Sequence, residues 1–422
     1  MSQKSNAQAL GSQKASDSTS DWPLSIRLLL NLGHAIDHMF LLIFAAAVGV
    51  IAVEFQYDHW EDLMPYGVGA FVMFGLCAMP AGRLGDLWGR RQMMLVFFFG
   101  MAGATLLAAM SSSSVQIAIS LTLVGVFASI YHPVGIPMLV QRSLRPGMTI
   151  GINGLWGNMG VAVAALLTGF LVKWFGWRAA FAVPALLSFI CGVLFLVLCP
   201  KETEPPSKRA SKASVQLPRK LLARALLVMT IASASGNLLY NFTTNGNGQL
   251  LIERFEGIID DPAVLGTLLA IVYAIAAFAQ VVVGKLLDRF EVKPLFVGIV
   301  LSQIPLLLLI SYAEGWLMYA ALLAAMVFIF GAIPFTDVMI VRYVDDRMRS
   351  RVAGIRFTIS LGFSALAVWA LGPFVKSSGF SNLFLLMALI SLCTLSVVSL
   401  LPSERKVASM RLNMDDQAVG AD

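Results

Sequence analysis

Apolar runs of about 20 residues follow one another along almost the whole chain, and roughly twelve can be drawn between Leu24 and Leu401. No soluble fold has interior enough to bury so many. In a bilayer each run can satisfy its own backbone as a helix, so the pattern predicts helices and excludes open sheets. Composition agrees: the 422 residues are 58% hydrophobic and only 13% charged, with a mean hydropathy of +0.79, against about 25% charged residues in soluble domains. The expected fold is an all-α polytopic membrane protein with twelve transmembrane helices in two six-helix pseudo-repeats.

The connectors divide the chain. Residues 1–21, rich in Ser, Gln and Ala, read as a disordered cytoplasmic tail. A signal peptide is not expected, because the first apolar run is too long and no small-residue cleavage site follows it. Residues 22–200 form the first bundle, 201–220 a basic cytoplasmic linker, 221–402 the second bundle and 403–422 a cytoplasmic tail. Basic residues test the count. With the N-terminus inside, 26 of the 30 Lys and Arg fall on the cytoplasmic side, and only Lys173, Arg178, Arg254 and Lys376 fall outside. That skew supports an even number of spans, both termini cytoplasmic, in a cell (inner) membrane. The net charge of +6 is thereby explained without nucleic acid. The four cysteines lie in or beside apolar runs and show neither metal-ligand spacing nor a disulfide framework.

The halves repeat each other. Gly82 and Asp86 recur as Gly284 and Asp288 at an offset of 202. Gly151, Gly169, Lys173, Gly176 and Phe181 recur as Gly354, Gly372, Lys376, Gly379 and Phe384 at an offset of 203. Such duplication is typical of secondary transporters, whose site lies near the midplane between the repeats.

The stretch Gly82-Arg83-Leu84-Gly85-Asp86-Leu87-Trp88-Gly89-Arg90-Arg91 resembles the helix 2–3 signature of the major facilitator superfamily, matching at Gly82, Leu84, Asp86, Gly89, Arg90 and Arg91. The resemblance covers the whole chain and speaks to fold more than to substrate. It implies a cytoplasmic gate at Gly82, Asp86, Gly89, Arg90 and Arg91, with Gly284, Asp288 and Arg289 as a degraded second copy. It also implies that helices 1, 4, 7 and 10 line a central cavity. Tyr131-His132-Pro133 in helix 4 and the glycine-rich helix 5 are more loosely similar to the drug-efflux and fosmidomycin-resistance branch. Drug/proton antiporters carry a Gly-Pro motif on helix 5, and here the proline is absent.

Polar residues at membrane depth fall on those four helices. Asp37 in helix 1 and Asp337 in helix 10 are the only acids deep in a span; His34 and His38 flank Asp37, and His132 sits in helix 4. Helix 7 carries Asn237, Tyr240, Asn241 and Asn245. Positions 34, 37 and 38 share one helical face, and Asp37 lies about 20 Å along its helix, near mid-membrane. Ionisable groups there mark ion or substrate paths. Asp37, His34, His38 and Asp337 are therefore the expected proton-coupling groups, and His132, Tyr131, Asn237, Tyr240, Asn241 and Asn245 the expected substrate cavity.

His-x-x-Asp-His has an inverted-zincin-like spacing, but with Asp for Glu and no evident third ligand, so no resident metal, cofactor or catalytic group is expected. The expected activity is proton-coupled transport of a small organic solute by alternating access, with efflux favoured. Uptake of a metabolite or organic acid is the alternative; divalent-metal transport and a non-transporting membrane sensor stand behind it. The expected partners are the solute, protons and the lipid bilayer, with the chain acting as a monomer.

Overall fold

The computed structural model describes residues 21–201, 219–343 and 346–402; the proposed tails at 1–20 and 403–422 and linker residues 202–218 lie outside the described residues. Among the described residues all regular structure is helical. The first half comprises α1 (Leu24–Glu54), α2 (Val68–Trp88, preceded by single turns at Trp60–Leu63 and Met64–Gly67), α3 (Arg90–Ala109), α4 (Ser114–Ala128), α5 (Pro146–Phe175) and α6 (Trp177–Leu198). The second comprises α7 (Arg219–Arg254), α8 (Pro262–Leu287), α9 (Val292–Tyr312) and α10 (Gly315–Gly331, resumed as Ile333–Tyr343). A last helical stretch, Asp346–Ser399, breaks at Gly379, where φ is 76°. It is two helices, α11 before the break and α12 after it. Unbroken, 54 residues would span about 80 Å, far beyond a bilayer.

Local chemistry explains the ends. Ser113 caps α4 by accepting from the Gln116 amide, and Asp261 caps α8 by accepting from Ala263, with Pro262 at the first helical position. Gly176 and Gly379, an offset-203 pair, both have positive φ and turn the chain between adjacent helices; a side chain would strain either turn. In α4 the helix loosens to a π-turn at Tyr131–Gly135 before resuming at Ile136–Gln141. Pro133 lacks an amide hydrogen, so the regular ladder cannot continue through it.

The two halves meet tightly at the end of the molecule remote from Arg90 and Arg91. There α5 crosses α8 with no room for a Cβ at Gly169 or Gly266, and α11 crosses the turn before α2 with none at Gly372. Trp60 stacks on Phe380, and Lys173–Asp261 and Lys376–Asp62 pair between halves. Toward the basic end the halves part. On α2 the face that packs on Leu361 at Gly75 is free one turn later, where Met79 is 77% exposed. On α5, no described residue stands within 4 Å of a Cβ placed at Gly151 or Gly154.

Candidate functional site

The site sits in the first half, where α1, the π-turn of α4 and the middle of α5 converge. Three imidazoles gather there. The ring centroids of His34 and His38 are 4.9 Å apart, His34 and His132 5.0 Å, and His38 and His132 5.7 Å. The π-turn aims His132 at Asp37: its Nε2 lies 3.4 Å from Asp37 Oδ2. Asp37 is fully buried and neither of its oxygens accepts a hydrogen bond of normal geometry. The His132 side chain keeps 25% exposure, and His38 is also partly open. The cluster is thus reachable through its imidazoles while its carboxylate is sealed behind them.

A second layer holds the rings. His34 Nδ1 is 2.8 Å from the Asn153 carbonyl oxygen, so that nitrogen donates and Nε2 keeps its lone pair, 3.2 Å from His38 Nε2. The Asn153 amide donates to Asn31 Oδ1 and to the Tyr131 hydroxyl, each at 2.8 Å, and Tyr131 donates to the Leu30 carbonyl at 2.7 Å. Tyr131 also stacks on His34 at 4.8 Å. Gly157 makes the space: a Cβ there would stand 2.7 Å from the His34 ring.

The sequence-selected residues therefore separate. Asp37, His34, His38 and His132 come together, and Tyr131 supports them. Asp337 lies elsewhere: it is 65% exposed and pairs with Arg356 Nη2 at 2.5 Å. Among the described residues it makes its ion pair with Arg356 and not with the Asp37 cluster. On α7, Asn241 donates to Ser364 of α11 at 2.9 Å, Ser364 donates to Asn237 at 3.2 Å, and Asn245 donates to the Asn241 carbonyl at 3.0 Å. Asn237 and Asn241 thus fasten α7 to α11, whereas Tyr240, packed on Phe330, keeps part of its ring open. A third histidine joins His34 and His38 from a distant part of the chain, because α4 supplies His132. Asn31, Asn153 and Gly157 were missed; Asn31, one turn before His34, was the only local signal.

The gate signature also divides. Gly82 and Gly85 bring α2 against Pro133 and Val134 of the π-turn. Arg90 bonds Gln141 at 3.0 Å. Arg91 is buried and donates to the Cys199 and Leu196 carbonyls at 2.8 and 2.7 Å, closing the end of α6. Gly89 has φ 99° and makes the tight turn into α3. Asp86, Asp288 and Arg289 are exposed, and Gly284 faces open space.

The Major Facilitator Superfamily model matches residues 30–257 and 250–416. A multidrug resistance protein, MdtG of Enterobacter lignolyticus, is 24% identical over 374 residues, 84% of either chain. MdtG of Salmonella arizonae is 26% identical over 252 residues, 57% of this chain and 61% of that one, so this match spans less than two thirds of the relative. Among solved structures, a bacterial homolog of the human lysosomal transporter Spinster, inward-facing and occupied, superposes with a TM-score of 0.68 at 13% identity over 93% of this chain and 96% of that one. A D-xylose-proton symporter superposes with a TM-score of 0.72 at 15% identity over 90% and 98%. At those identities the likeness is one of fold. With the duplicated six-helix plan and the family match along nearly the whole chain, it leads to one conclusion: the chain belongs to the major facilitator superfamily of multi-pass membrane transporters.

Proposed function

We propose that this protein exports a small organic solute by alternating access, driven by protons, from a cell inner membrane in which both termini are cytoplasmic. One observation carries the reading: the buried Asp37 carboxylate, which faces His132 and among the described residues accepts no hydrogen bond of normal geometry. An isolated carboxylate at that depth is costly, and a proton or an imidazolium offsets its charge. His132 of α4 faces it, and His34 and His38 of α1 pack on the His132 ring, with Tyr131 edge-on to it. The skew of Lys and Arg argues that the open end is cytoplasmic, so this is the state that receives an exported solute. The relatives named as multidrug resistance proteins favour export, and a carboxylate among imidazoles favours an amphipathic, neutral or cationic solute over an anion. Asp37 charge, Phe74 against His132, and Tyr240 on the facing half suit such a molecule.

The test is transport in proteoliposomes under an imposed pH gradient, screened against cationic and neutral solutes, with Asp37→Asn beside the wild type. The expected result is gradient-driven accumulation by the wild type and its loss in Asp37→Asn, with solute exchange in the absence of a gradient retained. Undiminished gradient-driven transport in Asp37→Asn overturns the coupling role. Accumulation in whole cells, with and without the protein, distinguishes export from uptake.

A further inference from the structure

His34, His38 and His132 converge from two helices that are distant in sequence, and their ligand-capable atoms all lie within 4.8 Å of one another. We propose that these three imidazoles form a binding site for one divalent transition-metal ion of the Zn2+, Co2+ or Ni2+ class. The site goes beyond the export reading and does not depend on it.

Three features support the assignment. The first is spacing. Zn–N bonds of about 2.0–2.1 Å in a tetrahedron place ligand nitrogens about 3.3 Å apart; the Nε2 atoms of His34 and His38 are 3.2 Å apart. The second is the outer layer. Metal-binding imidazoles characteristically donate their other nitrogen to a carbonyl or carboxylate, which fixes the tautomer. His34 does so to the Asn153 carbonyl, and that carbonyl belongs to an asparagine whose amide nitrogen is held by Asn31 and Tyr131. The third is charge. Asp37 is wholly buried, among the described residues neither oxygen accepts a hydrogen bond of normal geometry, and one lies 3.4 Å from the His132 ring. An ion on the imidazoles gives that carboxylate an opposite charge in a medium where such a pairing is strong.

The donor set selects the ion. Imidazole suits Zn, Ni, Co and Cu, whereas Mg2+ and Ca2+ require oxygen ligands that this cluster does not offer in number. Exposure of His38 and His132 gives an ion a way in from the open end. All three ligands belong to the first half. The site is therefore complete within one bundle and needs no residue of the second half.

The experiment is Co2+ titration of purified full-length protein, free of any affinity tag, followed by visible absorption and by equilibrium dialysis. The expected result is one Co2+ per chain with the intense bands of a tetrahedral complex, displaced by equimolar Zn2+. His38→Gln and His132→Gln are expected to lower affinity at least tenfold. His59→Gln, which removes the fourth histidine at the sealed end, is expected to bind as the wild type does. His132→Cys, a ligand-competent replacement, separates lost chemistry from lost folding: it is expected to restore binding with a shifted spectrum. Absence of stoichiometric Co2+ in the wild type, or unchanged binding in both glutamine variants, overturns the site. No solute or pH gradient enters the measurement, so its failure and the failure of the export reading are told apart.

Discussion

Lys173 and Lys376 occupy equivalent places in the two halves, and each reaches across the interface to an aspartate of the other half. Lys173 of α5 pairs with Asp261 at the start of α8, and Lys376 of α11 binds both oxygens of Asp62 before α2, at 2.7 and 2.6 Å. One turn earlier on each helix a glycine, Gly169 or Gly372, lets the backbones touch. The sealed end is thus closed by one device used twice: a small residue for contact and a lysine for charge. Opening that end requires both clasps to part.

Lys376→Ala and Lys173→Ala are each expected to raise the fraction of molecules open at the sealed end a few-fold, and the double variant to add the two effects. The clasps are about one-third to two-fifths exposed, and exposed ion pairs are individually weak. Spin-label distance distributions across that end, in lipid nanodiscs, measure the shift. The hydrogen bond from Lys173 holds the Asp261 carboxyl below its ordinary range. Its contribution is therefore complete above the ordinary carboxylate pKa of about 4 and is lost as pH falls through the lowered value of the paired state. The same distances are expected to be insensitive to pH between 5 and 8.

Gly372→Ala is expected to act more strongly than either lysine variant. Its Cβ would meet the Glu61 carbonyl, which belongs to backbone and cannot swing aside, so the two halves must separate to admit it. Gly154→Ala is the contrast: its Cβ meets nothing within 4 Å, and alanine favours the helix by up to about 1 kcal/mol. Thermal melts in detergent should place Gly154→Ala at or above the wild type, while distances across the sealed end lengthen only in Gly372→Ala.

Arg91→Ala is expected to destabilise the first half by about 1.5–3 kcal/mol, the range for a charge-assisted hydrogen-bonding group whose partners are left buried. Its role in this state is to close α6 through the Cys199 and Leu196 carbonyls. Asp86→Asn, on an exposed side chain, is expected to leave the melting temperature within error. Comparing the two melts separates the structural from the gating part of the signature.

Asn153→Ala strips the support from the histidine cluster without touching its ligands. It removes the donor to Asn31 and Tyr131 and is expected to cost about 1–3 kcal/mol. The His34 ring, still bonded to the residue 153 carbonyl, is expected to keep its tautomer, which nitrogen-15 spectra of labelled histidine can check.

Membrane-spanning character was legible because a bilayer enforces length and composition locally, run by run. The offset-203 repeat was legible too, and Gly176 and Gly379 carry it into two equivalent turns. The partners of Lys173 and Lys376 were not, since Asp261 and Asp62 precede their helices at unequal offsets and carry no periodic signal. Asp37 announced itself by the cost of a carboxylate in an apolar run. Asp337 sent the same signal, and its pairing with Arg356 became visible only in the fold, because hydropathy registers depth along a helix and not the direction a side chain faces.

What the chain alone determined was therefore local: where helices run, where they end, the duplication, and that the His34–His38 stretch had to face protein or water. What the tertiary structure decided was which groups meet. His132 reaches Asp37 only because Pro133 loosens α4 into a π-turn, and His34 has room only because Gly157 of α5 lacks a Cβ. Those contacts join residues about a hundred positions apart through packing, and packing depends on shape across helices that no linear spacing encodes.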